Sequence, residues 1–296
     1  MRERLAPYFW VTKPRIVELL LATAVPTLFL AADGLPTLIA TIAVVVGGSA
    51  AAASANTYNS VYDADIDAIM HRTGSRPIAA GVISVRAGLV QATILGVISV
   101  LTLGLLTNWL AAFLGFLAIV LYALGYTILL KRSTPQNIVW GGAAGCMPVL
   151  IAWAAVTGSL SWTPAILFLI VFLWTPAHYW PLAIKYRDDY ASVGVPMLPV
   201  VASERVVTRN IALYSVAMAV ASITLIPIAS MGWVYSIGAV VLGIWFVVIS
   251  LGLVKRTHRD NADYHELQKP AMKVFHGSIT YLALLFLLIG ITPFVP

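Results

Sequence analysis

The sequence contains very little cysteine and very little charge. Its single cysteine, Cys146, excludes a disulfide framework and any metal cluster built from several cysteines. Charged residues make up 10% of the chain, whereas an ordinary soluble domain carries about 25%. Hydrophobic residues make up 60%, and the mean hydropathy is +0.91. This composition excludes an ordinary soluble protein and predicts an integral membrane protein.

The apolar residues form runs of about 20 residues that lack the alternation expected of a membrane barrel. Only helices and closed barrels satisfy their backbone hydrogen bonds inside lipid, so these runs are predicted to be transmembrane helices. We therefore predict an all-α protein of one domain, residues 1–296, with nine spanning helices. The predicted spans are Ile16–Ala32, Leu35–Thr57, Gly88–Leu106, Trp109–Leu130, Ile138–Val156, Trp162–Ile184, Thr208–Ile228, Trp233–Val254 and Val274–Val295.

Positive charge falls on one side of this arrangement. The N-terminal segment and the inner loops hold all 18 Lys and Arg residues, and the outer loops hold none. The positive-inside rule then places the N-terminus inside and the C-terminus outside, and a count of eight or ten helices would break the alternation. These loops also explain the net charge of +6, so no nucleic acid partner is expected. The expected location is the cell membrane, with the polar loops on the cytoplasmic side.

A polar segment ends the second apolar run. Asn59, Asp63 and Asp67 are spaced at i, i+4 and i+8, so on a helix they stack along one face at intervals of roughly 6 Å. Two carboxylates beside an amide oxygen make a hard-ligand site suited to Mg²⁺, which often binds together with substrate phosphates. Asp65 is out of step and is expected to point away from this stripe.

Further polar residues follow on the same predicted inner side. Arg72 and Arg76 come soon after the stripe and could bind phosphate oxygens bidentately. Lys185, Asp188 and Asp189 follow the sixth span, and two Asp-bearing loops that face each other could hold metal ions between them. Ion pairing within a solvated loop is the alternative interpretation of the second loop.

Three residues near the inner ends of the spans are also candidates. Lys131 could reach a phosphate or serve as an interface anchor. Tyr126, one turn after Tyr122, could line a cavity or belong to an aromatic belt. His178 lies two turns deeper than Lys185, and ionisable residues at such depth are candidates for function. A hydrogen-bonded structural histidine is the alternative.

The pattern Asn59-x-x-x-Asp63-x-x-x-Asp67 resembles the first aspartate motif of the UbiA family of intramembrane prenyltransferases. The segments NSVYDADIDAIMHRTGSRP, YTILLKRSTPQNIVWGG and TPAHYWPLAIKYRDDYASVGVPMLPV, with the opening TKPR, are similar to the haem-prenylating branch of that family. The resemblance covers most of the chain. Two departures stand out: the second motif reads KYRDDY instead of DxxxD, and Tyr126 and Lys131 are five residues apart instead of four.

The resemblance implies a bundle of nine helices around a central cavity, capped on the inner side by the Asp-bearing loops. It implies transfer of a farnesyl group from farnesyl diphosphate to a vinyl group of haem B, giving haem O, with Mg²⁺ on the diphosphate. The implied metal ligands are Asn59, Asp63 and Asp67, with Asp188 and Asp189 as further candidates. The basic residues assigned to the leaving diphosphate are Arg72, Arg76, Lys131 and Lys185.

We assign His178, Trp180 and Tyr126 to the binding of the organic substrates, with His178 contacting haem B. Packing is the alternative for Trp180. The expected partners are the two substrates, membrane lipid and a downstream haem-modifying enzyme. Three other functions stay open at this point. They are a UbiA enzyme acting on an aromatic acid, quinone precursor or chlorophyllide; a transporter with His178 as an ion site; and a structural membrane subunit.

Overall fold

The computed structural model describes residues 2–259 and 263–295, and the regular secondary structure of these residues is helical. Because three consecutive segments form one long helix over Leu38–Tyr62 and two form another over Trp109–Leu130, we number thirteen helices. They are α1 Arg2–Trp10, α2 Pro14–Ala32, α3 Leu38–Tyr62, α4 Ala64–Ile69, α5 Val85–Leu106, α6 Trp109–Leu130, α7 Asn137–Thr157, α8 Trp162–Lys185, α9 Arg187–Ser192, α10 Leu198–Val201, α11 Glu204–Ile228, α12 Trp233–Arg259 and α13 Tyr264–Ile291.

Nine helices in the described part of the chain are long and apolar enough to cross a membrane. They are α2, α3, α5, α6, α7, α8, α11, α12 and α13, which correspond one for one to the predicted spans. Their outward faces are strongly apolar, with Leu105, Trp162 and Trp233 each more than 60% exposed. Lipid would cover such a surface. The predicted fold class, an all-α membrane bundle with nine spans, is confirmed.

Several helices extend beyond the predicted spans. Helix α13 begins at Tyr264, well before Val274, because Asp263 caps it by accepting a hydrogen bond from Glu266 N at 2.9 Å. Helix α12 likewise continues to Arg259. The segment 255–273 between the last two predicted spans is therefore mostly helical in the residues described there. Hydropathy marks where a helix leaves the apolar region, whereas local capping decides where it ends.

Two spanning helices contain wider π-helical turns. One is Val44–Gly48 in the middle of α3, and the other is Leu121–Leu130, the inner half of α6. Such insertions are rare and are frequent at functional sites, and the extra residue in the turn changes the direction of the side chains around it. Both segments contribute residues to the same internal cavity, which is described below.

The helices pack side by side in chain order, and α13 returns to contact α2 and α8. One core cluster joins α7, α8, α11, α12 and α13, and a second joins α2, α3, α5, α6 and α7. A third cluster lies under the inner loops, where Ile66, Met70, Tyr126, Tyr190 and Met197 pack together. This inner cluster packs the polar segment after α3, the first polar loop, against the polar segment after α8, the second polar loop.

Candidate active site

The stripe of Asn59, Asp63 and Asp67 crosses a helix junction. Helix α3 ends at Tyr62 and α4 begins at Ala64, so Asp63 belongs to neither helix. Asp63 N nevertheless donates to Asn59 O at 2.9 Å, and Asp67 N donates to Asp63 O at 2.8 Å. The helical spacing therefore survives the junction. All three side chains are buried, with exposures of 3%, 0% and 2%.

Basic side chains neutralise both carboxylates. Lys131 Nζ donates to Asp63 Oδ2 at 2.5 Å, and Arg76 Nη1 donates to Asp67 Oδ2 at 2.6 Å. Asn59 Nδ2 also donates to Asp63 Oδ2 at 2.7 Å. In the described part of the chain, no hydrogen bond reaches Asp67 Oδ1. Asp67 thus keeps one carboxylate oxygen open for a further ligand.

The π-helical turn of α6 explains the five-residue spacing between Tyr126 and Lys131. Lys131 N donates to Tyr126 O at 2.8 Å, which is the i→i−5 bond of a π-helix. Residues five apart therefore lie above each other, as residues four apart do in an α-helix. Gly141 on α7 makes room for the tyrosine, since a Cβ there would lie 2.2 Å from Tyr126 Cδ2. The π-helical backbone therefore compensates for the extra residue between Tyr126 and Lys131 relative to the family spacing.

Lys13 is a site residue that the sequence analysis missed. Its Nζ donates to Asn59 Oδ1 at 2.5 Å, and its backbone is left-handed, with φ 55°. Asn56 Nδ2 donates to Thr12 O at 2.9 Å and so ties this turn to α3. Burial, and then the nearby Arg76 guanidinium, hold the pKa of Lys13 well below its ordinary value. The segment TKPR, which contains Lys13, is the sequence feature that could have indicated this role. The sequence analysis included Lys13 only among the positive charges of the inner side.

Asp65 lies off the stripe, as its spacing predicts. Arg132 Nη2 and Nη1 donate to its two carboxylate oxygens at 2.7 and 2.8 Å. This hydrogen bonding lowers the pKa of Asp65 to about 2. The side chain is 62% exposed. Arg132 also approaches Asp63 Oδ1 at 3.4 Å, so it links the exposed aspartate to the buried one.

The two polar loops meet through Arg72 rather than through a shared cluster of carboxylates. Asp189 Oδ2 accepts a hydrogen bond from Arg72 N at 3.2 Å, and Arg72 Nη2 donates to Tyr190 Oη at the same distance. The hydroxyl groups of Tyr179 and Tyr190 are 2.9 Å apart. This network attaches the second loop to the first and closes the inner side of the bundle.

The other predicted ligands of the second loop point elsewhere. Asp188 is 80% exposed, with Arg187 Nη1 3.5 Å from its Oδ1. Lys185 is exposed, and its Nζ lies 5.4 Å from the centre of the Tyr186 ring. Within residues 2–259 and 263–295, no three His, Cys, Asp or Glu side chains converge on a metal position. The remaining oxygen-bearing candidates, Asn59, Asp63 and Asp67, are buried together along the stripe.

An apolar cavity lies directly below the stripe. Gly48, Ala52 and Ala55 lie on the α3 face that leads to Asn59, and these small residues leave the space open. Tyr122 borders the same cavity near the polar residues. Its other walls come from α2, α6 and α7. One face of α3 therefore carries a polar end at the inner side and an apolar groove deeper in the membrane.

His178 and Trp180 occupy different faces of α8. The imidazole of His178 stacks between Trp174 and Phe275, with ring centres 4.1 and 4.6 Å away. Trp180 is 1% exposed and meets Tyr214 edge to face on the side of α11. Trp180 therefore sits inside helix packing, apart from His178 and from the cavity. A contact between Trp180 and a substrate would require α8 and α11 to separate.

Comparison with known proteins identifies the family of the chain. Residues 20–279 match the sequence profile of the UbiA prenyltransferase family. The chain belongs to the UbiA prenyltransferase family. It is accordingly an intramembrane prenyltransferase.

Individual known proteins resemble the chain over nearly its whole length. A protoheme IX farnesyltransferase from Clavibacter sepedonicus is 55% identical over 291 residues, which cover 98% of this chain and 92% of that relative. A solved structure of a digeranylgeranylglyceryl phosphate synthase matches with a TM-score of 0.79 at 18% identity, covering 98% of this chain and 99% of the other.

A second solved structure carries ligands. It is a UbiA homologue from Archaeoglobus fulgidus bound to DMAPP and Mg²⁺, with a TM-score of 0.66 at 15% identity, covering 94% of this chain and 98% of the other. At this identity the likeness concerns the fold. The UbiA fold of the present chain is confirmed by both structures.

Proposed function

We propose that this UbiA-family protein transfers the farnesyl group of farnesyl diphosphate to haem B, giving haem O and diphosphate, with Mg²⁺ required. The observation that carries the proposal is a buried polar stripe, rich in cations, at the mouth of an apolar cavity. This arrangement suits a molecule with an anionic head and an isoprenoid tail. The acceptor, haem B, is supported by the protoheme IX farnesyltransferase relatives, which are similar over almost the full chain.

The head of the site is rich in basic side chains. Lys13, Arg76 and Lys131 surround the two carboxylates of Asp63 and Asp67. The carboxylate and amide oxygens of the stripe fit Mg²⁺, which prefers oxygen ligands. Bound Mg²⁺ would reduce the charge on the leaving diphosphate. In this proposal the three basic side chains turn from the stripe to phosphate oxygens and stabilise the charge that develops as the carbon–oxygen bond breaks.

In this proposal the tail of the donor occupies the apolar cavity along α3. Loss of diphosphate leaves an allylic cation, which must be kept from water until the acceptor attacks. The apolar walls exclude water, and the face of the Tyr122 ring can stabilise positive charge. The vinyl group of haem B then forms a carbon–carbon bond to the farnesyl carbon, and water supplies a hydroxyl group to the adjacent vinyl carbon while a proton is released.

Replacing Ala52 by Leu tests the position of the tail. Ala52 lies seven residues below Asn59, about 10 Å deeper along α3. The larger side chain fills the cavity where the end of a farnesyl chain would lie. We expect the KM for farnesyl diphosphate to rise about tenfold, and the KM for the shorter geranyl diphosphate to change much less. Steady-state kinetics with both donors measures the difference.

Val97→Leu provides the control, because Val97 is 52% exposed on the outer face of α5. It should leave both KM values unchanged. Equal increases in KM for the two donors in Ala52→Leu would contradict the proposed position of the tail.

The function itself is tested by mixing the purified protein with haem B, farnesyl diphosphate and Mg²⁺ and weighing the pigment product. A product with the mass of haem O supports the proposal. Haem B recovered unchanged, with 4-hydroxybenzoate prenylated in a parallel reaction, would instead show an enzyme for aromatic acceptors.

The cellular setting follows from the same charges. We infer that the polar loops face the cytoplasm, with the N-terminus inside and the C-terminus outside, in the plasma membrane. We infer that the chain acts as a single domain. Haem O would pass to a haem-modifying enzyme, a step that follows from the chemistry of the product.

A further inference from the structure

The surroundings of His178 define which ring nitrogen carries a proton. Ser278 Oγ lies 2.6 Å from Phe275 O, and only the hydroxyl can donate in that pair. His178 Nδ1 lies 2.7 Å from the same Oγ. Because the hydroxyl proton is already used, Ser278 must accept, and Nδ1–H of the imidazole must donate.

The other nitrogen, Nε2, consequently holds a lone pair. Within residues 2–259 and 263–295, no hydrogen bond reaches His178 Nε2. The residue is half-buried, and Nε2 is absent from the buried side-chain atoms without a hydrogen-bond partner among the described residues, so Nε2 retains some exposure. A neutral imidazole with Nδ1–H anchored and Nε2 free has the form that binds a metal through Nε2.

The ring is also held in place. Trp174 and Phe275 cover its two faces, and Trp174 Nε1 donates to Ser278 O at 2.8 Å. Ser278 is fully buried on α13. These contacts join α8 to α13 and restrict rotation of the imidazole. A structural histidine would be expected to use both ring nitrogens in hydrogen bonds. In His178, Nδ1 is bonded to Ser278 and Nε2 is left without a partner among the described residues.

We propose that Ser278 is a positioning residue that holds His178 in the Nδ1–H tautomer, so that His178 Nε2 ligates the iron of the porphyrin acceptor. This inference rests on the proposed function, because haem B is the acceptor there. It adds a specific bond, from Nε2 to iron, and a residue on another helix that prepares it. Iron ligation would anchor the porphyrin ring while a vinyl group at its edge reacts.

The test compares a porphyrin with iron and one without. Haem B and iron-free protoporphyrin IX are titrated separately into the detergent-solubilised wild-type protein and the His178→Ala and Ser278→Ala variants, and binding is followed by absorption. Outer-shell partners of metal-bound histidines typically change affinity by roughly 10- to 100-fold. We expect haem affinity to fall about tenfold in Ser278→Ala and further in His178→Ala, with a shifted Soret band, while iron-free protoporphyrin binds all three proteins equally.

Two controls separate ligation from folding. Ser215→Ala removes another buried serine, which bonds to Ile211 O and Ser250 on the other side of the bundle, and should leave haem binding unchanged. Added imidazole should restore the wild-type spectrum to His178→Ala.

Equal loss of both porphyrins, or no rescue by imidazole, would overturn iron ligation. Normal haem binding in Ser278→Ala beside weak binding in His178→Ala would overturn the role of Ser278 alone. Haem O formation by the wild-type protein, measured in parallel, reports on the proposed function independently. Absence of both haem binding and haem O would overturn the function and this inference together.

Discussion

Replacing either Asp63 or Asp67 by Asn is expected to abolish farnesyl transfer, with a loss of at least about 10²–10³-fold in kcat. Asparagine keeps the size of the side chain but removes the negative charge. The change therefore deprives the proposed Mg²⁺ site of an anionic ligand and leaves Lys131 or Arg76 without its carboxylate partner. Mass spectrometry of the haem product measures the loss, and recovery of the variants from the membrane fraction shows that they still insert.

Asp65→Asn is the matched control for these variants. Asp65 lies between the two stripe residues in sequence, but it is exposed and bonded to Arg132. Its replacement should leave most of the activity, because it removes a surface ion pair from outside the stripe. Full activity of Asp67→Asn at limiting Mg²⁺ would contradict the assignment of the stripe to the metal.

Removing divalent cations with EDTA is expected to stop farnesyl transfer completely, and added Mg²⁺ or Mn²⁺ is expected to restore it. Both ions accept oxygen ligands of the kind that Asn59, Asp63 and Asp67 present. Without the ion, the cations of the site remain paired with the carboxylates, and the charge of the diphosphate is neutralised incompletely. The measurement is the initial rate of haem O formation as chelator and then metal are titrated.

Haem binding provides the internal control for chelation. The His178 site lies between α8 and α13 and contains no stripe residue, so EDTA should leave the haem absorption spectrum unchanged. Undiminished turnover in excess chelator would contradict metal dependence and would point to a diphosphate site made of Lys and Arg side chains alone.

The comparison of the two loops shows where sequence reasoning reaches its limit. The stripe was predictable because Asn59, Asp63 and Asp67 follow one another at intervals of four residues. On a helix this spacing places their side chains on one face. Asp188 and Asp189 are adjacent in sequence, yet one is exposed and the other accepts from the Arg72 backbone. Their different directions depend on a loop packed against another loop, which no local pattern encodes.

The sequence by itself determined the class of the protein, the number of membrane spans in the described chain and the polar stripe. Hydropathy, charge placement and helical period are local properties, and they act on each segment independently of the rest of the fold.

Tertiary structure alone decided which distant groups meet. Lys13, in a left-handed turn, donates to Asn59, and Ser278 on α13 bonds to His178 on α8. Trp180 on α8 packs against Tyr214 on α11. Each of these contacts joins residues far apart in the chain. Their geometry follows from how the helices pack and rotate against one another, which the period of a single helix does not specify.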